Sequence, residues 1–265
     1  MKEGKNHSFE EKKSTLSTRI DIHKQFSKLE INDWILEMLK LHQGENVLDV
    51  GCGTGKQIIP YKKVVGEKGL VVGSDISEEL ISEAKKKAKL ENLEIQFIMH
   101  DSNNPFDFPN SSFDVISCCF AIYYVSDLEK IVLEFKRLLK PGGRLFLAGP
   151  TPLNAKLLHE LHQKITNQSL PYMPGVSRFM SEVLSLVQKH FQNVQTKIFQ
   201  NPITFQDIDS FLKYYISTGL YLESSNDDAE RNKFKDKMKQ EVINIIQEQG
   251  KIEIMKEVGG ILAYK

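Results

Sequence analysis

Residues Val47 to Gly55 read Val-Leu-Asp-Val-Gly-Cys-Gly-Thr-Gly, and their spacing restricts the ligand they can serve. Val47 to Val50 make a short buried strand. Gly51, Gly53 and Gly55 then turn the chain, and Lys56 onward opens a helix. Glycine is needed in such a turn because the backbone bends sharply and lies against a ligand, and a Cβ would obstruct one or the other. A phosphate-cradling P-loop asks for Gly-Lys-Ser/Thr starting five residues after Gly51, where this chain has Lys56-Gln57. The dinucleotide fingerprint asks for glycine at position 56, which is lysine. What remains is acidic-x-Gly-x-Gly-x-Gly, with Asp49 as the acid. The plain alternative is an ordinary glycine-rich strand-to-helix turn.

In an open α/β sheet, ligands bind at the carboxyl ends of the strands, near the point where strand order reverses. The strand expected at Leu70–Ser74 ends in Asp75, whose paired oxygens suit the two hydroxyls of a ribose. Its other reading is a helix-capping acid before Ile76-Ser77. Glu94–Met99 ends in His100-Asp101-Ser102, where a carboxylate suits the amino group of an adenine, a pure donor. Phe113–Cys118 runs on through Cys119, Tyr123 and Tyr124, which would floor the cleft.

The elements that must position these residues alternate between strand and helix. A helix over Lys56–Val65 is compatible with Pro60 only in its first turn. Ser77 is a good N-cap for a helix striped by Leu80, Ile81, Ala84 and Ala88, and Asp127 caps one carrying Leu128, Ile131, Phe135 and Leu138. Pro141-Gly142-Gly143 reads as a turn before a strand at Arg144–Ala148. This rhythm gives a parallel sheet with right-handed crossovers. Beyond Gly149 the expected elements are a helix around Leu157–Ile165, a helix over Val176–Phe191 and a strand at Val194–Phe199. Thr204 with Asp207 resembles a capping box, and a helix to about Glu248 follows a polar break. Lys251–Lys265 alternates as a strand, with Gly259-Gly260 as a turn or bulge. Ahead of the sheet, residues 1–17 are polar and lysine-rich and read as a mobile arm. Ile20, Phe26, Leu29, Trp34, Ile35 and Met38 recur at helical spacing over residues 18–43.

The glycine string resembles the first motif of the class I S-adenosyl-L-methionine (SAM)-dependent methyltransferases. Phe113-Asp114-Val115-Ile116, Ala121-Ile122-Tyr123-Tyr124-Val125-Ser126-Asp127 and Leu139-Lys140-Pro141-Gly142-Gly143-Arg144-Leu145 resemble that family's later motifs, above all those of its small-molecule group. The resemblance implies a doubly wound, seven-stranded, mostly parallel sheet (a Rossmann-like α/β fold) whose last strand is antiparallel. The cofactor-binding core would be residues 44–150. Residues 18–43, about 151–175 and 202–250 would be helical lid and acceptor insertions, all within one domain over 18–265. It further implies that Asp49, Gly51, Cys52, Gly53 and Gly55 line the methionine moiety. Asp75 would hold the ribose, Ile76 would flank the adenine, Asp101 and Ser102 would read its edge, and Cys119 would border the cleft. The product would be S-adenosyl-L-homocysteine. Many relatives carry histidine where Tyr123 stands, so no acid–base role transfers to it.

A sulfonium methyl is a strong electrophile, so alignment supplies most of the acceleration, and a base matters only where the acceptor must lose a proton. The catalytic residue is left open, with Tyr124, His23, His159, His162 and Tyr172 as candidates. Arg19, one turn from His23, is a further candidate for a carboxylate of the cofactor. His159 and His162 read as a surface pair, with no metal expected. Phe205, Phe211, Tyr214, Tyr215 and Tyr221 line an acceptor pocket or, more simply, form helix-packing core.

Composition narrows the partners. Thirty-five basic residues balance thirty-five acidic ones, so no global field holds nucleic acid or an anionic membrane. No apolar run reaches membrane-spanning length. Cys52, Cys118 and Cys119 offer neither a disulfide framework nor zinc spacing, as fits a reducing cytoplasm. The expected partner is a small-molecule acceptor. A tRNA or protein methyltransferase and a non-catalytic SAM-binding regulator are the alternatives.

Overall fold

The computed structural model describes residues 21, 22, 25–27, 29–170 and 173–265. Its elements are α1 (Ile31–Leu39), β1 (Val47–Val50), α2 (Ile58–Val65), β2 (Val71–Asp75), α3 (Glu78–Leu90), β3 (Gln96–Met99) and β4 (Phe113–Cys119). After them come α4 (Leu128–Leu138), β5 (Leu139–Pro150), α5 (Lys156–Thr166), α6 (Pro174–Arg178), a π-helical turn (Phe179–Val183) and α7 (Leu184–His190). The chain closes with β6 (Gln192–Phe205), α8 (Ile208–Ile216), α9 (Gly219–Leu222), α10 (Asp228–Gln249) and β7 (Ile252–Tyr264). One seven-stranded sheet takes the order β3-β2-β1-β4-β5-β7-β6. The pairs from β3 to β5 are parallel and β7 runs antiparallel to β5, as the family resemblance implies. Strand order reverses between β1 and β4, so their carboxyl ends open the crevice expected of this fold. Among the described residues no helix is long and apolar enough to cross a membrane.

The described residues group into two compact units. One consists of Ile31–Pro152, Met173–Phe199 and Val258–Lys265; the other takes the described residues of Met1–Glu30 and Leu153–Tyr172, with Gln200–Glu257.

In the larger unit the strand residues are apolar towards both faces, which suits a parallel sheet covered by helices. Ser77 Oγ accepts from the backbone N–H of Leu80 at 3.3 Å, and Asp127 Oδ1 accepts from Lys130 at 3.0 Å. Both caps fall where expected. Pro60 is the third residue of α2, where its missing N–H leaves no helical bond unmade. Arg144 of β5 pins the end of α1. Its guanidinium donates to the carbonyls of Leu39 (2.6 Å) and Lys40 (2.8 Å) and to both carboxylate oxygens of Glu45 (2.8 Å each). Burial pushes Glu45 upwards, but the bonds from Arg144 and His42 together outweigh it and hold the carboxyl below its usual range.

Several local expectations are replaced by tertiary packing. Strand β5 already pairs at Phe113–Leu139, but its register shifts before Val115–Arg144 and Gly142 holds a φ of +76°, so the turn expected at Pro141-Gly142-Gly143 stands as an irregularity inside β5. Gly259 and Gly260 sit inside β7, paired with Gly149 and Ala148. A Cβ at Gly260 would lie 2.7 Å from the Trp34 ring, and one at Gly259 2.5 Å from Met180 Sδ, so these glycines permit close approach rather than a turn. The single helix expected over Val176–Phe191 contains the π-turn, where Phe179 presses against Gly149. The stretch read as one helix over 18–43 is interrupted: Ser27 bridges Ile203, and Leu29 exchanges hydrogen bonds with the buried Asn201 side chain (3.3 and 2.7 Å). Thr204 belongs to β6, and Asp207 itself caps α8 by accepting from Ser210 at 2.8 Å.

The smaller unit has its own aromatic core. Phe205 packs on Phe26, Phe211 and Tyr214 with ring centroids 5.1, 5.6 and 5.5 Å away. Tyr215 packs on Tyr221 at 5.3 Å. His159 and His162 are not a surface pair. His162 is 2% exposed, and its Nδ1 lies 2.8 Å from the Tyr215 hydroxyl. Burial first, then Lys256 and His162, lower His159 to about 4, and burial lowers His162.

Two outcomes follow. Arg144→Ala removes the guanidinium from two carbonyls and from Glu45, which keeps only its contacts with His42, and should destabilise the protein by about 3 kcal/mol, read as a lower urea midpoint. The folded form of His159 binds a proton less readily than the unfolded form, so its contribution to stability is present above pH 6.5 and is lost as pH falls towards 4. Thermal melts of the wild type should therefore drop relative to those of His159→Gln across that window; parallel curves would contradict it.

Candidate functional site

The residues expected to bind the ligand gather in the larger unit, at the carboxyl ends of β1, β2, β3 and β4. Gly51, Gly53 and Gly55 all have positive φ (74°, 52° and 84°), a region that costs other residues strain. They are not equivalent. A Cβ on Gly51 would lie 2.4 Å from Ala121 Cβ, and one on Gly55 would lie 3.2 Å from Ala84 and Ile59. A Cβ on Gly53 would meet nothing within 4 Å. Gly51 and Gly55 are therefore required by packing within the protein, while Gly53 faces open space.

The loop's backbone donors are tied to the end of β2. Gly51 and Cys52 donate to the Ser74 carbonyl at 2.8 and 2.9 Å. Gly53 donates to Asp75 Oδ2 at 2.9 Å, and Ser77 donates to Asp75 Oδ1 at 2.9 Å. Each carboxylate oxygen thus spends one lone pair on the backbone and keeps acceptor capacity for a diol. The contact with Ser77 fits the reading of Asp75 as an acid at the start of α3, and the same carboxylate also shapes the loop through Gly53. Beside it, Ile76 is 68% exposed, a flat apolar side chain left in solvent at the mouth of the site.

Asp101 accepts at Oδ1 from the backbone and side-chain N–H groups of Asn103 (2.9 and 2.8 Å). It folds its own turn, with Ser102 within it. Asn103 Oδ1 in turn accepts from Ser126 at 2.9 Å, which joins the loop after β3 to the one after β4. Cys52 and Cys119 are buried, so Cys52 can offer a ligand its backbone but not its thiol. Tyr124 is 46% exposed at the end of β4, against the buried Tyr123 ring at 4.8 Å. Phe120, between them and the strand, holds a φ of +61° while its N–H donates to Ala148 at 2.7 Å. A bulky residue in the left-handed region is uncommon, and here it sets Ala121 against Gly51.

Asp49 is the least solvated carboxyl of the site, at 2% exposure. Its Oδ1 accepts from Ser117 Oγ at 2.8 Å. Tyr61 OH lies 3.1 Å from the same Ser117 oxygen, and Cys119 Sγ 3.7 Å from it. Burial pushes Asp49 up to about 7; the Ser117 hydrogen bond opposes this and the Asp75 charge adds to it. Burial, then Asp49, pushes Cys119 up to about 12. Tyr61 and the position of Phe120 were not singled out from sequence. Tyr61 reads there as one more apolar position of a helix, and a backbone angle has no signature in a phenylalanine.

His159 and His162 lie in the smaller unit, as do the aromatics of α8. Arg19, His23 and Tyr172 lie outside the described residues. No group of three or more His, Cys, Asp or Glu side chains that could hold a metal ion occurs among the described residues.

Known proteins share this fold. The structure resembles YcgJ of Bacillus subtilis (TM-score 0.59, 19% identity, 88% of this chain and 97% of that one). It also resembles a putative methyltransferase of Bacillus halodurans (TM-score 0.60, 16% identity, 88% and 98%). In sequence the chain is 35% identical over 147 residues to a demethylmenaquinone methyltransferase of Listeria welshimeri, across 54% of this chain and 61% of that protein. It is 34% identical over 119 residues to a nocamycin O-methyltransferase of Saccharothrix syringae, across 44% and 42%. The chain thus spans less than two thirds of the length of these relatives. The methyltransferase-domain family model matches residues 41–250, most of the chain, and with the glycine loop, the strand-end carboxylates and the seven-stranded sheet it makes this protein a member of the class I SAM-dependent methyltransferases.

Proposed function

We propose that the protein binds SAM in the cradle of β1, β2, β3 and β4 and transfers its methyl group to a small organic acceptor. The observation that carries this reading is Asp75. Its carboxylate closes the glycine loop through Gly53 and keeps acceptor capacity beside the open side of Gly53 and the exposed Ile76. That set fits a nucleoside with a free diol and an amino-acid tail. When bound, SAM supplies a methyl group on a positively charged sulfur. The protein's part is then positioning: Asp75 for the ribose, Asp101 and Ser102 for the adenine edge, the glycine loop with Asp49 for the amino-acid end. Tyr124 is the candidate for contact with the acceptor.

Support for a small acceptor comes from the relatives, whose names are a demethylmenaquinone methyltransferase and a nocamycin O-methyltransferase. The even charge balance of the chain points away from nucleic acid. Segments 151–175 and 202–250 belong in this proposal as the source of acceptor selectivity. Because Phe205, Phe211 and Tyr215 are spent on the core of their own unit, that selectivity would rest on other side chains. Three free, buried cysteines support a reducing, cytoplasmic setting.

Calorimetric titration with S-adenosyl-L-homocysteine should show binding, and Asp75→Ala should weaken it by about 2–3 kcal/mol, tens- to a hundredfold. No binding by the wild type would reject the cofactor. With methyl-labelled SAM, label should enter the organic-soluble metabolites of a cell extract. Label confined to bulk tRNA or protein would reject the small acceptor, and binding without any transfer would favour a regulatory protein.

A further inference from the structure

Asp49 is buried with no counter-charge. Its one hydrogen bond among the described residues comes from Ser117. The groups that face it are Ser117 and Cys119 of β4, Tyr61 of α2, Cys52 of the loop and Asp75 at the end of β2. None of them is cationic, and the charge that reaches it is a second carboxylate. A carboxylate in such a place is disfavoured unless a cation joins it.

Its neighbours are rotors that satisfy either protonation state. With Asp49 ionised, the Ser117 hydroxyl donates to it, and Tyr61 O–H donates to Ser117. With Asp49 protonated, its O–H donates to Ser117 Oγ, and the Ser117 proton turns to Tyr61. The Tyr61 O–H displaced by that turn has the Cys119 sulfur, a weak acceptor, beside it, so the exchange needs hydroxyl rotation and no repacking of side chains.

We propose that Asp49 is a proton-exchanging seat for the cofactor's cationic end. In the ligand-free protein the carboxyl keeps its proton. As a cation enters the cradle, the Asp49 O–H bond breaks, the proton passes to solvent, and the carboxylate left behind balances the ligand's charge. Ser117 and Tyr61 are positioning residues for that exchange. The proposal rests on the SAM reading, since the amino-acid end of SAM or of its product carries an ammonium group.

The linkage has a definite sign. Burial raises Asp49 to about 7 in the free protein, so at pH 7 about half a proton leaves per ligand bound. Release should approach one proton near pH 6 and vanish by about pH 9, and affinity should fall up to about tenfold per pH unit below 7.

The test is calorimetric titration of the full chain with S-adenosyl-L-homocysteine in phosphate, HEPES and Tris, whose ionisation heats differ. The expected result is an apparent enthalpy that becomes more exothermic as the buffer's ionisation heat rises, because the buffer takes up the released proton, with a slope of about minus half a proton at pH 7. Asp49→Asn should abolish the slope. Ser117→Ala, which removes the donor to the carboxylate, should raise release at pH 7 towards one. A ¹³C NMR titration of aspartate carboxyls in the ligand-free protein should give Asp49 a midpoint near 7, shifted upwards by Ser117→Ala. Binding with equal heats in all buffers, or a slope that survives in Asp49→Asn, would overturn the proton exchange and leave the cofactor reading intact. No binding in any buffer, while Asp49 titrates near neutrality, would overturn the cofactor reading and the exchange with it.

Discussion

Two residues at the end of β2 absorb the backbone donors of the glycine loop, and the site depends on that capture. The Ser74 carbonyl takes the N–H groups of Gly51 and Cys52, and Asp75 takes that of Gly53. A glycine run is otherwise the most mobile kind of chain, because it loses the most conformational freedom on ordering. Three hydrogen bonds to a strand already fixed in a parallel ladder offset that loss. The loop's shape is therefore a property of the β1–β2 pairing, whose register sets Val50 against Ser74. On the other side, Phe120 gives its N–H to Ala148 and delivers Ala121 against Gly51. The cradle is thus held through three neighbouring strand ends.

Two carboxyls share this cradle and are kept different by their surroundings. Asp75 accepts from two backbone N–H groups, those of Gly53 and Ser77. Asp49 lies beneath the loop among hydroxyl and thiol groups, where burial favours the protonated form. The two acids thus differ in setting, one tied to backbone donors at the loop and one buried among hydroxyl and thiol groups. Elsewhere in the same unit Glu45 shows the contrasting arrangement, a part-buried carboxylate held charged by the fork of Arg144.

The smaller unit is built by a different logic. Its aromatics pack on each other instead of lining a surface, and its histidines are drawn into that packing, with His162 against Tyr215. Residues whose types invite a catalytic reading are here explained by core formation.

The glycine loop, the caps at Ser77 and Asp127 and the strand alternation were legible in the sequence, because each depends on a few neighbouring residues or on a short apolar period; the antiparallel direction of the last strand came from the family resemblance, which the alternation of Lys251–Lys265 only permitted. That Asp49, Gly53, Asp75 and Asp101 come to neighbouring strand ends was legible for the same reason: strand ends are marked locally, and the fold brings parallel strand ends together. The rest was decided by contacts distant along the chain. Whether Gly259 and Gly260 turn or run straight depends on the Trp34 ring and Met180. That His162 is buried depends on Tyr215, 53 residues away. Asp49 meets Ser117 and Tyr61 only because β1 lies between β2 and β4 with α2 packed over them. The sequence by itself determined which backbone could cradle a ligand; the tertiary structure alone decided the environment of each acid, because charge and protonation are set by what surrounds a group and not by what adjoins it along the chain.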